Sequence, residues 1–298
     1  MLKVIHITDT HVAPFGQPVV GLDPCARLSA VVTAINRYHS DAAFCVITGD
    51  LTDRGQIPAY EALAKILAEL RVPYRLLLGN HDNRDNFRQV FPNEPIDQFG
   101  FVQSTTVLGD VRLIFLDTLD DDHPGWGRMC TKRIQWLHEV FEDNAPRRSV
   151  IFMHHPPFSV GVPIFDDILL NDPHPFLSKI RAEKSIMHIA FGHLHLTTSG
   201  VWHGIPFSCN RGVSHRIALS FKPGITEFME SEPTYDIVTI TEAGVLVHHT
   251  APVEDDDIIA HEYPTDDGVG LIEFRAAERK PTEGFPMCLR PRLRTNAP

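Results

Sequence analysis

Five apolar runs along this chain stop abruptly at polar residues: Val4–Ile7, Phe44–Ile47, Leu76–Leu78, Val150–Met153 and Ile186–Phe191. Near-continuous apolar runs of three to six residues predict strands buried on both faces rather than strands with one wet side. Helical patterns lie between the first three. Asp23-Pro24 reads as an N-cap followed by proline at the first helical position, and Leu28, Val31, Val32, Ile35 and Tyr38 continue at helical spacing. A second helix is predicted near Pro58 to Leu70, with Leu63, Ile66, Leu67 and Leu70 on one side, ahead of a strand from Tyr74 to Leu78. Strands that alternate with helices predict an α/β fold, with parallel strands whose following loops carry the chemistry.

The middle of the chain departs from this rhythm. Phe101–Val107 and Val111–Asp117 flank Leu108-Gly109-Asp110 and read as a hairpin, and a helix is predicted over Thr131–Phe141. Beyond His195, short β-like runs occur at Ile205–Cys209, Tyr235–Ile240 and Val245–His249. The expected architecture is two packed sheets with helices outside. From Glu254 the pattern weakens. Residues 254–267 hold seven acidic residues and no Lys or Arg, while residues 275–298 hold six Lys or Arg against two Glu. This reads as an extended tail, either packed on a neighbouring subunit or mobile.

Composition narrows the partners. A chain of 298 residues with 43% hydrophobic content supports a large single core. A net charge of -11 argues against a nucleic-acid polymer bound through a broad basic face, and no run approaches the length needed to span a bilayer. Five scattered cysteines fit reduced thiols, and a signal peptide at the amino terminus would have to discard Asp9 and His11, so a cytoplasmic location is expected.

The polar residues that end the apolar runs are the informative part: Asp9-Thr10-His11, Gly49-Asp50, Gly79-Asn80-His81-Asp82, His154-His155-Pro156 and Gly192-His193-Leu194-His195. Imidazole, carboxylate and amide donors gathered at strand ends suit zinc, manganese, iron or cobalt. Each residue alone has a plain structural reading, such as a strand-end turn or N-cap aspartate. His154 and His155 cannot both point into one site from an extended backbone. His6, His188, His248 and His249 lie inside apolar strand runs and read as structural.

In their order, D-x-H, G-D, G-N-H-D, H and G-H-x-H, these blocks resemble the calcineurin-like metallophosphoesterase superfamily over roughly residues 1–215. Their spacing and contexts are most similar to its class III cyclic-nucleotide phosphodiesterases and bacterial glycerophosphodiesterases. The resemblance implies a four-layer α/β/β/α sandwich as a catalytic domain over 1–215. Residues 216–298 would form a small β-rich extension that completes the sandwich and serves as a cap or subunit contact. It further implies two divalent metal ions (Mn2+, Fe2+/Fe3+, Zn2+ or Co2+). Asp9, His11, Asp50 and His195 would hold one of them. Asp50, Asn80, His154 and His193 would hold the other, with His154 rather than His155 as the ligand. His81 would act on the leaving group, with Asp82 orienting its imidazole, and His215 would line the pocket wall. Arg54 and Asp53 are candidate substrate contacts, with capping and a solvated charge as the other reading.

The implied activity is hydrolysis of a small phosphodiester, of cyclic nucleotide or glycerophosphodiester type, by hydroxide generated between two metals. A phosphomonoesterase or nucleotidase on the same core is the alternative. The Gly- and Pro-rich segments Val12–Leu22, His123–Arg128 and Phe158–Pro175 show no basic cluster for a dianion, which favours diesters. A scaffold that lost its chemistry is disfavoured, because every expected ligand is present. A homo-oligomer is expected.

Overall fold

A computed structural model describes residues 1–142 and 148–253, together with the backbone of Ala260–Tyr263 and Leu271–Phe274. The strands Leu2–Ile7, Phe44–Thr48 and Tyr74–Leu77 pair in parallel in that order. Thr234–Ile240 joins Leu2–Ile7 antiparallel and Leu246–Pro252 closes that edge, giving a five-stranded sheet. The second sheet has six strands, in the order Thr198–Trp202, Ile205–Cys209, Ile186–Phe191, Arg148–Phe152, Val111–Phe115 and Ser104–Leu108. Its four inner strands are parallel and both edges are antiparallel.

Alternation along the central strands shows why their sequences are apolar throughout. Ile5, Ile7, Cys45 and Ile47 face a core shared with Leu28, Val31, Ile35, Leu63 and Leu67 of the helices Pro24–Tyr38 and Ile57–Leu67. The intervening Val4, Phe44 and Val46 instead meet Val111, Leu113, Phe115, Val150 and Phe152 of the second sheet. On that sheet's far side Ile114, Ile151 and Ile189 pack with Trp136, Leu137, Phe176 and Ile180 of the helices Thr131–Glu142 and His174–Ala182. Three apolar seams between four layers make an α/β/β/α sandwich, and each inner strand needs apolar side chains on both faces.

The first helix starts as expected: Asp23 caps it, its side chain accepting from Ala26 N at 3.0 Å, and Pro24 is its first residue. The hairpin begins later than predicted, at Ser104. The Asp97 carboxylate takes the Phe101 N–H (2.8 Å) and the Gln103 side-chain amide (2.7 Å), while Asp117 takes the Val102 N–H (3.0 Å), so these backbone groups do not enter the ladder. Strands 234–240 and 246–252 are integral to the first sheet, and Met1–Val253 forms one compact unit. Ala260–Tyr263 and Leu271–Phe274 pair antiparallel. The rest of the tail anticipated from residue 254 lies outside the described residues.

Candidate metal centre

All five ligand-bearing loops leave the carboxyl ends of parallel strands, three from the first sheet and two from the second. Cross-loop hydrogen bonds hold them together. His11 N donates to the Asp50 carbonyl (2.9 Å), Gly192 N to the His154 carbonyl (3.1 Å), and His193 N to both carboxylate oxygens of Asp9 (3.1 Å each). Asp9, His11, Asp50, His193 and His195 all adopt positive φ, between 41° and 72°. None of them is glycine, so these loops carry strain that only the surrounding packing sustains. Close approach explains the neighbouring glycines. A Cβ on Gly192 would lie 1.8 Å from the Thr8 hydroxyl, and one on Gly49 would lie 2.7 Å from both Gly79 N and His154 Nδ1.

The donor atoms form two adjoining groups. In the first, Asp9, His11, Asp50 and His195 place one ligand atom each within 4.8 Å of one another, all buried. His195 Nδ1 donates to the His215 carbonyl (2.8 Å), so its Nε2 carries a lone pair, and that atom sits 3.1 Å from His11 Nε2 and 3.6 Å from Asp9 Oδ1. In the second, His193 Nε2 donates to the Ile168 carbonyl (2.9 Å), leaving Nδ1 bare and 2.9 Å from Asn80 Oδ1, itself an acceptor. His154 Nδ1 donates to the Thr48 carbonyl (2.7 Å), which turns Nε2 toward Asn80 Oδ1 (3.2 Å) and Asp50 Oδ2 (3.3 Å). Asp50 Oδ2 is also 3.6 Å from His11 Nε2, so one carboxylate oxygen belongs to both groups.

Lone pairs that face one another across about 3 Å require positive charge between them. Burial, reinforced by neighbouring histidines, pushes His193 and His195 down to about 3, so neither imidazole supplies that charge as a proton. Burial opposes ionisation of Asp50, yet His154 and His81 outweigh it and hold the carboxyl well below the usual range. The same Asp50 charge lifts His154 to about 9 against the effect of burial. Neutral His193 and His195, fixed through their second nitrogen by backbone carbonyls, together with ionised carboxylates, fit two divalent metal ions, which would take the place of the proton that Asp50 draws onto His154.

Two expectations need revision. Asp82 does not orient the His81 ring. Its carboxylate accepts from Leu51 N (3.0 Å), Thr52 N (3.1 Å), Thr52 Oγ1 (3.1 Å), Tyr60 Oη (3.0 Å) and Gly79 N (2.9 Å). It therefore staples the Asp50 loop to the Asn80 loop. The His81 ring is held instead by the Asp53 carbonyl, 2.8 Å from Nδ1, while the Asp53 carboxylate stands 3.7 Å from His11 Nδ1. Asp53 thus supports two site histidines, and Arg54 is exposed, its Nε 3.3 Å from Asp53 Oδ2. Finally, ligand atoms of His154 and His155 both reach His193 within 4.8 Å, because the strand ends at Phe152 and its alternation stops before them. The His155 Nδ1 is engaged by Thr118 Oγ1 at 2.8 Å.

His215 is buried, its ring stacked on His195 with centroids 4.2 Å apart, and its carbonyl fixes the His195 tautomer. Burial, then the charge of His195, pushes it to about 3. His6, His188 and His248 belong to neither donor group; they gather around buried Asp236 between the sheets.

A family model for calcineurin-like phosphoesterases matches residues 2–197. A probable cyclic nucleotide phosphodiesterase of Rhodopseudomonas palustris is 40% identical over 250 residues, covering 83% of this chain and 91% of that protein. A probable glycerophosphodiester phosphodiesterase of Arcobacter nitrofigilis is 26% identical over 254 residues, covering 83% and 92%. Among solved structures, a dimetal phosphatase from Danio rerio shares the fold, with a TM-score of 0.59 at 15% identity over 85% of this chain and 99% of that one. The strand-end ligand loops, the paired donor groups and the family match agree: this chain belongs to the calcineurin-like phosphoesterases.

Proposed function

We propose that this chain is a dinuclear metal-dependent phosphodiesterase acting on small diesters of the cyclic nucleotide or glycerophosphodiester type. The observation that carries this reading is the Asp50 oxygen shared between two groups of bare imidazole, amide and carboxylate donors. Asp9, His11, Asp50 and His195 would hold one ion, and Asp50, Asn80, His154 and His193 the other. When bound, manganese, iron, zinc or cobalt ions supply Lewis-acid polarisation of the ester and a nucleophile at neutral pH. The chain's own residues then divide the remaining work. The His215, Ile168 and Thr48 carbonyls lock the ligand tautomers. With Nδ1 anchored on Asp53, His81 turns Nε2 outward, where it protonates or stabilises the departing oxygen.

Exposed Leu219, Phe221, Ile225, Phe228 and Met229 fall within one short segment, and their clustering supports assembly of the chain with a second copy. On this reading residues 216–298, whose strands Thr234–Ile240 and Leu246–Pro252 complete the first sheet, also supply a cap or subunit contact. The described cysteines Cys25, Cys45, Cys130 and Cys209 are free thiols, which supports a reducing, cytoplasmic setting. No helix among the described residues is long and apolar enough to cross a membrane.

The test is a panel of cyclic nucleotides, glycerophosphodiesters and aryl diesters beside the matching monoesters, assayed with each of the four metals. Turnover of diesters above monoesters is expected. Monoester turnover alone would move the chain to the phosphatase or nucleotidase class.

A further inference from the structure

Beside the donor groups lies a cavity of about 320 Å3, at the lower end of the size range of small-ligand sites. It shares the ligand His195 as part of its wall. Most of its lining is apolar, including Val162, Leu196 and Ile217, while Arg211 and Arg216 supply two guanidinium groups. No carboxylate and no side-chain amide line it; the other hydrogen-bonding side chains are His195 and the hydroxyls of Thr197 and Thr198. These two arginines flank the Gly212–His215 loop, outside the Gly- and Pro-rich segments of the sequence, one of which, Phe158–Pro175, contributes Val160 and Val162 to the lining.

The two guanidiniums lie close enough to repel. Burial and then the charge of Arg216 lower the basicity of Arg211, with Glu232 opposing. Among the described residues, Arg211 Nη2 donates to the Glu232 carbonyl (2.9 Å), and its buried Nε has no partner. Neither arginine joins the ion pairs formed among the described residues. In a chain of net charge -11, an arginine pair with no salt bridge among the described residues, on an apolar wall beside the donor groups, is a candidate for recognising a ligand. Its chemistry excludes some occupants. A choline or ethanolamine group would bring a third positive charge into the cavity, and a bare glycerol would gain nothing from the apolar walls. A flat ring gains from both features. Its faces meet aliphatic side chains or a guanidinium plane, and its edge meets donors that pair with keto and ring-nitrogen acceptors.

We infer that this cavity receives the organic group of the diester and that Arg211 and Arg216 select a nucleobase with an acceptor edge, guanine ahead of adenine, over a cationic alcohol. This rests on the phosphodiesterase reading for the adjoining metal site. The Arg pair reads the base and the metal site reads the ester, so the two are separable by experiment.

The test is calorimetric binding of guanosine monophosphate, adenosine monophosphate, phosphocholine and inorganic phosphate to full-length, manganese-loaded protein. The wild type, Arg216→Gln and the Arg211→Gln/Arg216→Gln double variant are compared, with metal content and thermal midpoint measured for each. Guanosine monophosphate is expected to bind tightest and phosphocholine weakest. The double variant should weaken guanosine monophosphate by about 10- to 100-fold and inorganic phosphate by less than about 3-fold. Equal losses for the nucleotide and inorganic phosphate would make the pair a phosphate clamp and overturn the inference. So would phosphocholine binding as tightly as the nucleotide. If the Gln variants do not fold, Arg216→Lys keeps the charge but loses the planar fork; it should lose the guanine preference while still rejecting phosphocholine. Should the wild type turn over no diester with any metal, the phosphodiesterase reading fails by itself, while the nucleotide affinities still score the cavity.

Discussion

Replacing Asp82 by Ala should separate the roles of fold and ligand most sharply, because this carboxylate touches neither substrate nor metal in the arrangement described. It accepts five hydrogen bonds, three of them from the N–H groups of Leu51, Thr52 and Gly79. The hydroxyls of Thr52 and Tyr60 can rotate to new acceptors, whereas the three N–H groups are fixed in their loops. Each buried donor left unpaired costs roughly 1–3 kcal/mol, which puts the loss at about 3–9 kcal/mol before relaxation. Two effects pull it down: water can enter the vacated volume, and a repulsion disappears. Burial and then the charge of Asp50 push the Asp82 carboxyl up to about 6, so part of its favourable bonding is already spent against that repulsion. About 3–5 kcal/mol should remain, measured by urea unfolding of the metal-free protein. Because Leu51 and Gly79 adjoin the proposed ligands Asp50 and Asn80, metal affinity should fall in parallel. Asp82→Asn, which keeps one acceptor oxygen, should fall between the two. A variant within about 1 kcal/mol of wild type, with normal metal content, would refute the role of Asp82 as a staple between the loops.

Three further outcomes are expected from the geometry. Burial, reinforced by the charges of His248 and His6, pushes His188 down to about 3, so the unfolded chain takes up its proton first and stability is lost as pH falls below about 6.5. His188→Gln, which retains a partner for the Ser208 hydroxyl, should flatten this loss by up to about 1.4 kcal/mol per pH unit between pH 6 and 4; parallel stability curves would contradict it. Gly49 has φ of +95° and its Cβ position is blocked by Gly79 N, so Gly49→Ala should cost roughly 2–4 kcal/mol by denaturant titration, and an unchanged midpoint would rule out the close approach. His81→Ala should leave metal content intact while lowering turnover of alkoxide-leaving esters by about 10² to 10⁴, with a smaller loss for nitrophenolate; loss of metal would make His81 a ligand.

The legible part of this protein was set by local chemistry. Buried parallel strands demand apolar side chains on both faces, so Val4–Ile7, Phe44–Ile47 and Val150–Met153 declared themselves, as did the clustered polar residues at their ends. Asp23-Pro24 marked its helix because capping is a short-range interaction. What stayed hidden depends on approach across the fold. The staple made by Asp82 joins backbone groups some thirty positions away, and the Asp53 carbonyl meets His81 only because two loops fold together. The Asp97 caps that delay the hairpin replace ladder bonds with side-chain bonds, which periodicity does not register. His6, His188 and His248 read as structural from their apolar surroundings, but their gathering around Asp236 joins strands from both sheets. Likewise, Arg211 and Arg216 come to share a cavity wall with the proposed ligand His195 only once the loop between them folds.

The central claim is that one carboxylate oxygen joins two metal positions, and the direct measurement is metal stoichiometry with turnover in Asp50→Ala. Purified wild type reconstituted with manganese should carry about two equivalents per chain by plasma mass spectrometry and hydrolyse a chromogenic diester. Asn80→Ala, which touches only the second group, should regain part of its activity at high metal concentration. Asp50→Ala should lose affinity at both positions together, retain less than about one equivalent, and fall to background at every metal concentration. Near-normal stoichiometry and turnover in Asp50→Ala would contradict the dinuclear account.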